Sequence, residues 1–388
     1  MRETLASIPP YVFYELEDRR NLHRARGRKL LDVGIGSPDG PIPDVVVEAM
    51  VRAASARPLS GYPNFRMDAA YAQAVAGYCS RRFGVTVDPD RQLHALAGSK
   101  EGIAELILSH VNPGDAVLVP AIHYPVYSRA TCMAGATPVL VPYHADGTLD
   151  LEGIPAEALA RARVLIINYP TNPTTAAVEL PELARLVAFA QAHGLLLISD
   201  LAYSELAYDG YIVPSVLQVP GAEAVAVETH SCSKSFNMAG VRAAFVVGNP
   251  QAIETLDRYR TNIGYGVSTL AQQAAAAAFA HAEGIVPPIV AEYQRRRDAL
   301  VEAFCSGGWA VTPPRATMYL WLDVPSGYAD WGWVDALLEG PGVVVTPGIA
   351  FGEAGRGKFR ISLVQPTDQL VAAAAGMMTV AASGPVRH

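Results

Sequence analysis

Short apolar runs alternate with helix-like stretches through the middle of the chain, and this alternation restricts the fold more than any other feature. Strands are expected at 116–120, 138–142, 164–168, 195–200, 224–228 and 243–247, with helical stretches such as 101–110 and 181–193 between many of them. Strands that alternate with helices become parallel neighbours. The expected core is therefore a mostly parallel α/β sheet covered on both faces. Ligands of such sheets sit beyond the carboxyl ends of the strands. Polar motifs that directly follow these runs are the first candidates for chemistry.

An Ala-rich stretch, 270–282, followed by 290–304, predicts one or two long helices leaving that sheet. Shorter strands are expected at 319–324, 343–346 and 359–363, with glycine and proline marking a loop across 341–352 and an Ala-rich helix at the end. The expected division is a large domain over 45–280 and a smaller α+β domain built from 1–44 and 281–388, the N-terminal segment folding back. A chain of 388 residues, 51% of them apolar, is long enough and apolar enough for two such cores.

Composition narrows the partners. A formal charge of −7 gives no reason to expect nucleic acid or an anionic membrane. The N-terminus lacks the basic-then-apolar pattern of a signal peptide. No apolar run reaches the roughly 18 residues that span a bilayer. Cys79, Cys132, Cys232 and Cys305 are scattered without metal-type spacing, which fits reduced thiols in a cytoplasm. None of the nine histidines has a metal-ligand spacing, and no metal is expected. His123 reads as a loop histidine, and Trp321, Trp331 and Trp333 as packing residues.

Lysine is scarce: Lys29, Lys100, Lys234 and Lys358 are the full set. Arginine replaces lysine on a surface, but its guanidinium stays protonated and cannot condense with an aldehyde. Any aldehyde-cofactor chemistry must use one of four positions. Lys234 stands in Ser231-Cys232-Ser233-Lys234-Ser235, just after an expected strand, with Arg242 eight residues on. Two hydroxyls and a guanidinium beside one lysine make a phosphate site next to an amine. Burial and nearby positive charge depress such an amine's pKa. An ordinary surface lysine leaves the hydroxyls, the arginine and the strand unexplained.

Other motifs fall at the same edge. Ala97-Gly98-Ser99-Lys100 precedes a helix, where free amides attract a phosphate, although it serves equally as a plain helix cap. Tyr124 follows the 116–120 strand and can stack on a flat heterocycle or simply pack. Asn172 sits between prolines in Tyr169-Pro170-Thr171-Asn172-Pro173, a loop that either aims its amide or is only a turn. Asp200 ends the 195–200 strand, where an acid needs a cationic or hydrogen-bonding partner. A pyridinium nitrogen is one such partner, and Tyr203 can then reach the ring's phenolic oxygen. Arg360 lies inside the apolar run 359–363, where its fork suits a substrate carboxylate or a structural salt bridge.

In this order, these stretches resemble fold-type I pyridoxal-5′-phosphate (PLP) enzymes of the class I/II aminotransferase family, across nearly the whole chain. PPYVFYELEDRR, DLAYSELAYDGY, VETHSCSKSFNMAGVR, RATMYLWLDVPSG and GVVVTPGIAFGEAGRGKFRISL are most similar to the branch containing LL-diaminopimelate aminotransferases. The resemblance implies an aspartate-aminotransferase-like fold and a role for each matching residue. Lys234 matches the lysine that forms a Schiff base with the cofactor and moves the proton. Asp200 matches the pyridinium partner, Tyr203 and Asn172 the donors to the phenolic oxygen, and Tyr124 the stacking ring. Gly98, Ser99, Lys100, Ser231, Ser233 and Arg242 match phosphate contacts. Arg360 and Gly36 match the grip on the α-carboxylate, and Tyr11 a substrate-side tyrosine. Tyr62 resembles a tyrosine that reaches the phosphate of the neighbouring subunit's cofactor, which implies a homodimer with shared active sites.

The implied reaction is amino transfer between an L-amino acid and a 2-oxo acid with ping-pong kinetics. Three departures fall near the substrate: Thr175 in place of a glycine, Val241 in place of a tryptophan, and no glycine after Tyr62. They leave open an elimination, substitution or ring-forming reaction at the β- or γ-carbon of an amino acid such as S-adenosylmethionine. A PLP-binding transcription regulator is a third reading, but the motifs start too near the N-terminus to leave room for a DNA-binding module. Arg66, Arg258 and Arg260 are candidates for a second anion site that would mark a dicarboxylic substrate.

Overall fold

The computed structural model describes residues 8, 10–56 and 61–384. The strands are β1 Leu31–Asp32, β2 Leu93–Leu96, β3 Ala116–Pro120, β4 Thr137–Val141, β5 Ala162–Ile167, β6 Leu196–Asp200, β7 Ala226–Ser231, β8 Ala244–Gly248, β9 Tyr319–Asp323, β10 Val343–Val344, β11 Thr346–Pro347 and β12 Lys358–Ser362. Seven of them form one sheet in the order β2-β8-β7-β6-β5-β3-β4. The strands from β7 to β4 run parallel. Their interior members are buried along almost their whole length, as continuous aliphatic runs are when helices cover both faces. β4 is the edge. It is partly exposed, and it carries Pro138, which cannot donate to a central ladder.

Strand β8 is antiparallel to both β7 and β2. Two reversals restore the common direction, so the helix after β2, Ser99–His110, starts at the same edge where β3, β5, β6 and β7 end. That shared edge is what assembles the site. β2 is absent from the sequence expectations. Leu93-His94-Ala95-Leu96 has no β-branched residue to mark it as a strand.

The second sheet has the order β11-β12-β9 and is antiparallel. β1 pairs in parallel with β10, which ties the N-terminal segment to the C-terminal part of the chain. The core around this sheet holds Trp333, Phe359, Ile361, Leu320 and Leu337, all at most 1% exposed. The Ala-rich stretch forms Thr269–Ala280, which does not leave the large sheet. It packs its buried alanines against the core that holds Val46, Tyr71 and Val75 on the helices Asp44–Ser55 and Ala69–Phe83. The departing helix is Ala282–Ser306. Among the described residues, no single helix is long and apolar enough to cross a membrane.

Candidate active site

A cavity of about 350 Å³ opens where the large sheet's carboxyl edge meets the second sheet. It is lined by Tyr11, Gly36, Gly98, Ser99, Lys100, Tyr124, Asn172, Asp200, Tyr203, Ser231, Ser233, Lys234, Arg242 and Arg360. Every cofactor and α-carboxylate candidate from the sequence is therefore brought together except Tyr62, which lies outside and is 78% exposed. A larger groove, about 1040 Å³, is lined in part by β9 and holds none of these residues.

Lys234 sits in the one-turn helix Cys232–Ser235 that follows β7. Its amine donates to the Gly36 carbonyl. Burial, the largest influence, pushes this amine below the ordinary lysine value. Tyr319 opposes the shift, and Arg360 and Arg242 add to it. The result is an amine closer to its neutral, nucleophilic form.

Asp200, 5% exposed, ends β6 and faces the same space. Burial pushes its carboxyl up to about 6, against hydrogen bonds led by that from Tyr127. The Tyr127 hydroxyl donates to Oδ2 at 2.7 Å, while Oδ1 is buried with no partner among the described residues. An orphaned carboxylate oxygen aimed into a cavity fits a ring N–H cation.

Arg360 is the opposite orphan. It is 3% exposed on β12 and has no acidic partner among the described residues. Its Nη1 donates to Asn172 Oδ1 at 2.7 Å and its Nη2 to the Gly34 carbonyl at 2.8 Å, leaving Nε buried and unpaired. The guanidinium lies 4.2 Å from the Tyr319 ring centre and 4.9 Å from that of Phe351. A buried cation held by neutral groups calls for an anion, and a carboxylate matches its fork. With its oxygen taken by Arg360, the Asn172 side chain presents its NH₂ as a donor.

The far end suits a phosphate. The first-turn amides of Ser99–His110 have no partner within the helix. Gly98 lets Arg242 approach, since a side chain there would collide with the guanidinium. Ser231 and Ser233 add hydroxyls, and Ser231 also caps the turn that carries Lys234 by accepting from the Ser233 amide at 3.1 Å. The whole donor set fits PLP: a cation site at Asp200, an amine at Lys234 and a dianion site at Gly98–Lys100 with Arg242.

Lys100 divides its role. Its backbone starts the helix, but its ammonium lies 3.4 Å from the Tyr11 hydroxyl and 4.6 Å from that ring's centre, at the cavity mouth. None of the arginines named as second anion sites lines the cavity. Arg260 pairs with Glu105, Arg258 with Glu254, and Arg66 donates to the Leu93 carbonyl.

Two residues had no role in the sequence reading. Tyr127 stands in the first turn of the helix Val126–Met133, three positions after Tyr124, and the two rings meet edge to face at 6.2 Å. Tyr319 opens β9, and its hydroxyl is 2.9 Å from that of Tyr203. Gly36 makes room for it, because a Cβ there would overlap the Tyr319 hydroxyl. Nothing in the sequence separates Tyr319 from a packing aromatic.

The profile of the family described as aminotransferase class I and II matches residues 28–377. The LL-diaminopimelate aminotransferase of Desulforudis audaxviator is 44% identical over 371 residues, 95% of each chain. That of Gloeobacter violaceus is 43% identical over 370 residues, 94% of each. Among solved structures, substrate-bound BacF from Bacillus subtilis superposes with a TM-score of 0.92 at 32% identity, covering 98% of this chain and 97% of that one. A probable N-succinyldiaminopimelate aminotransferase from Thermus thermophilus gives 0.89 at 34%, covering 95% and 100%.

Proposed function

We propose that this chain, which belongs to the class I and II aminotransferases, moves an amino group between an L-amino acid and a 2-oxo acid through Lys234. The cofactor of this family, PLP, supplies an aldehyde and an electron-withdrawing ring. One observation carries the assignment of residues: a single cavity holds the Lys234 amine, the unpaired Oδ1 of Asp200 and the Arg360 guanidinium, whose Nε is unpaired and which has no acidic partner among the described residues.

Asp200 would hold the ring nitrogen's proton, and Tyr127 fixes the carboxylate by donating to Oδ2, which leaves Oδ1 for that contact. Tyr124 would stack on the ring. Tyr203 and Asn172 would donate to the phenolic oxygen, and burial keeps the Tyr203 phenol protonated. Ser99, Lys100, Ser231, Ser233 and Arg242 would hold the phosphate. Arg360 and the Gly36 backbone orient the substrate's α-carboxylate. Lys234 Nζ accepts the proton from the substrate's α-carbon and returns it during the exchange.

The same reading makes the enzyme a homodimer, with Tyr62 serving the second copy's phosphate site. It also makes 45–280 the cofactor-binding domain, and 1–44 with 281–388 the smaller one. The pairing of β1 with β10 supports that division. The four cysteines are unpaired, which supports a reducing cytoplasm, and the net charge of −7 supports neither nucleic acid nor membrane as a partner. The curated relatives above are named aminotransferases, which supports amino transfer and not elimination or ring formation.

LL-diaminopimelate, in the relatives' names, has a second carboxylate, and Lys100 is a cation at the mouth that can receive it. Incubation of the holoenzyme with this donor is expected to convert the cofactor to its amine form, and a 2-oxo acid to reverse the change. Turnover without that conversion overturns amino transfer. Lys100→Met should raise KM for LL-diaminopimelate by about two- to fivefold, the loss of one exposed ion pair, and leave KM for a monocarboxylic donor nearly unchanged. Steady-state kinetics with both donors decide it.

A further inference from the structure

The cofactor end of the cavity and a patch on the outside of the molecule are both incomplete. At the cavity, the Arg242 side chain is 51% exposed, whereas Arg360 at the substrate end is buried. On the outside, three aromatic rings lie in a contiguous stack. Tyr62 is 78% exposed, Tyr265 53% and Phe65 45%. The Tyr62 and Tyr265 rings lie 3.8 Å apart at an angle of 4°, and Phe65 stacks on Tyr265 at 5.2 Å and 22°. The two loops that carry the stack are locked together, since any side chain at Gly266 would collide with the Asn64 carbonyl. An exposed tyrosine on a loop ordinarily samples several rotamers. Here one ring face of Tyr62 is fixed and its hydroxyl has no partner among the described residues.

We infer that Tyr265 is a positioning residue that clamps Tyr62 face to face, with Phe65 as its backing, so that the Tyr62 hydroxyl is held ready for the phosphate end of a second copy's cavity. This rests on the reading of Tyr62 as a residue shared between subunits, and it adds what fixes that residue. The occupant of the aromatic patch is a second copy of this chain, because the other half of the pair, an open phosphate end with a half-exposed Arg242, is on the same molecule. Tyr265 touches neither cofactor nor substrate in this scheme. It acts by reducing the freedom Tyr62 loses on engagement.

The test is the PLP dissociation constant of the apoprotein, followed by absorbance, with the dimer checked by sedimentation. A stacked aromatic pair contributes enough for Tyr265→Ala to weaken PLP by about three- to tenfold. Tyr265→Leu, which keeps apolar volume without a ring face, should weaken it similarly, and Tyr265→Phe, which keeps the stack, should stay within about twofold. Tyr62→Phe should weaken PLP by about tenfold, the loss of one hydrogen bond to a charged group. In the Tyr62→Phe background, Tyr265→Ala should add almost nothing, as expected when one residue works through another.

Hybrid dimers of a Lys234→Ala chain with a Tyr265→Ala chain place the lending in trans. The site with an intact Lys234 receives its patch from the chain with an intact Tyr265, and should bind PLP with wild-type affinity. Weak binding at that site, or an unchanged constant for both Tyr265→Ala and Tyr265→Leu in an intact dimer, overturns the inference. So does a loss of affinity seen only where the dimer dissociates, which makes the patch interface packing alone. An unchanged constant for Tyr62→Phe overturns instead the shared-tyrosine reading on which the inference stands.

Discussion

Lys234→Ala is expected to abolish amino transfer, with a loss of at least about 10⁴-fold in kcat, because one side chain supplies both the covalent attachment and the proton carrier. The apoprotein should still take up PLP through Ser99, Ser231, Ser233 and Arg242, but without the absorbance band of a lysine-linked aldehyde. Lys234→Arg sharpens the test. It restores a cation of similar length, yet the guanidinium cannot give up its proton at any working pH, so it should be as inactive as alanine. Absorbance spectra and single-turnover rates on the two variants measure both halves. Lys100 and Lys358 provide the control, since Lys100 sits at the mouth and Lys358 pairs with Asp323 on the second sheet. Retention of the band in either Lys234 variant would return the covalent role to another amine.

Lys234 is legible in the sequence for a physical reason. Strands 116–120, 164–168 and 195–200 announce themselves as aliphatic runs, and a parallel sheet forces whatever follows each run to one edge. The proposed cofactor anchors are local to those edges, so Asp200, Asn172 and the Ser231–Lys234 turn can be placed at one edge from their neighbours in sequence. Groups whose role depends on distant partners could not. Tyr319 meets Tyr203 across 116 positions, and only their meeting distinguishes it from a core aromatic. β1 is two residues long and is a strand only because Val343–Val344 lies beside it. Arg260 reads like a free anion site until Glu105 is seen against it. The helix Ala282–Ser306 runs through Pro287 and Pro288, whereas the sequence reading starts it only after them, at 290, because proline lacks a donor and disfavours helix interiors. Tertiary packing of that helix outweighs the local penalty.

Asp200→Asn should separate function from stability in opposite directions. The buried carboxyl has its pKa pushed up to about 6, whereas an unfolded chain holds an aspartate near about 3.9. The folded apoprotein therefore keeps a proton that the unfolded chain has already lost between those values. Stability from this group is full below about pH 4, declines across the window, and is lowest above about pH 6. At pH 8 the apoprotein carries a buried charge with one oxygen unpaired. The Asp200→Asn chain does not, and its amide oxygen can still accept from Tyr127. Its apoprotein should be more stable than the parent at pH 8 by on the order of 3 kcal/mol, and the gap should close as the pH falls toward about 4. The same change removes the charge that holds the ring proton, which should cost about 10³-fold in kcat, comparable to deleting a preorganised group aimed at developing charge. Added PLP should raise the parent's Tm more than the variant's, because the bound cation relieves the buried carboxylate only where one exists. Thermal unfolding at pH 5 and pH 8, with and without PLP, reads these effects together. A variant apoprotein that gains nothing at pH 8 would mean that the carboxylate at the end of β6 is not a buried, uncompensated charge, and a variant enzyme that keeps its rate would mean that it faces no cationic ring.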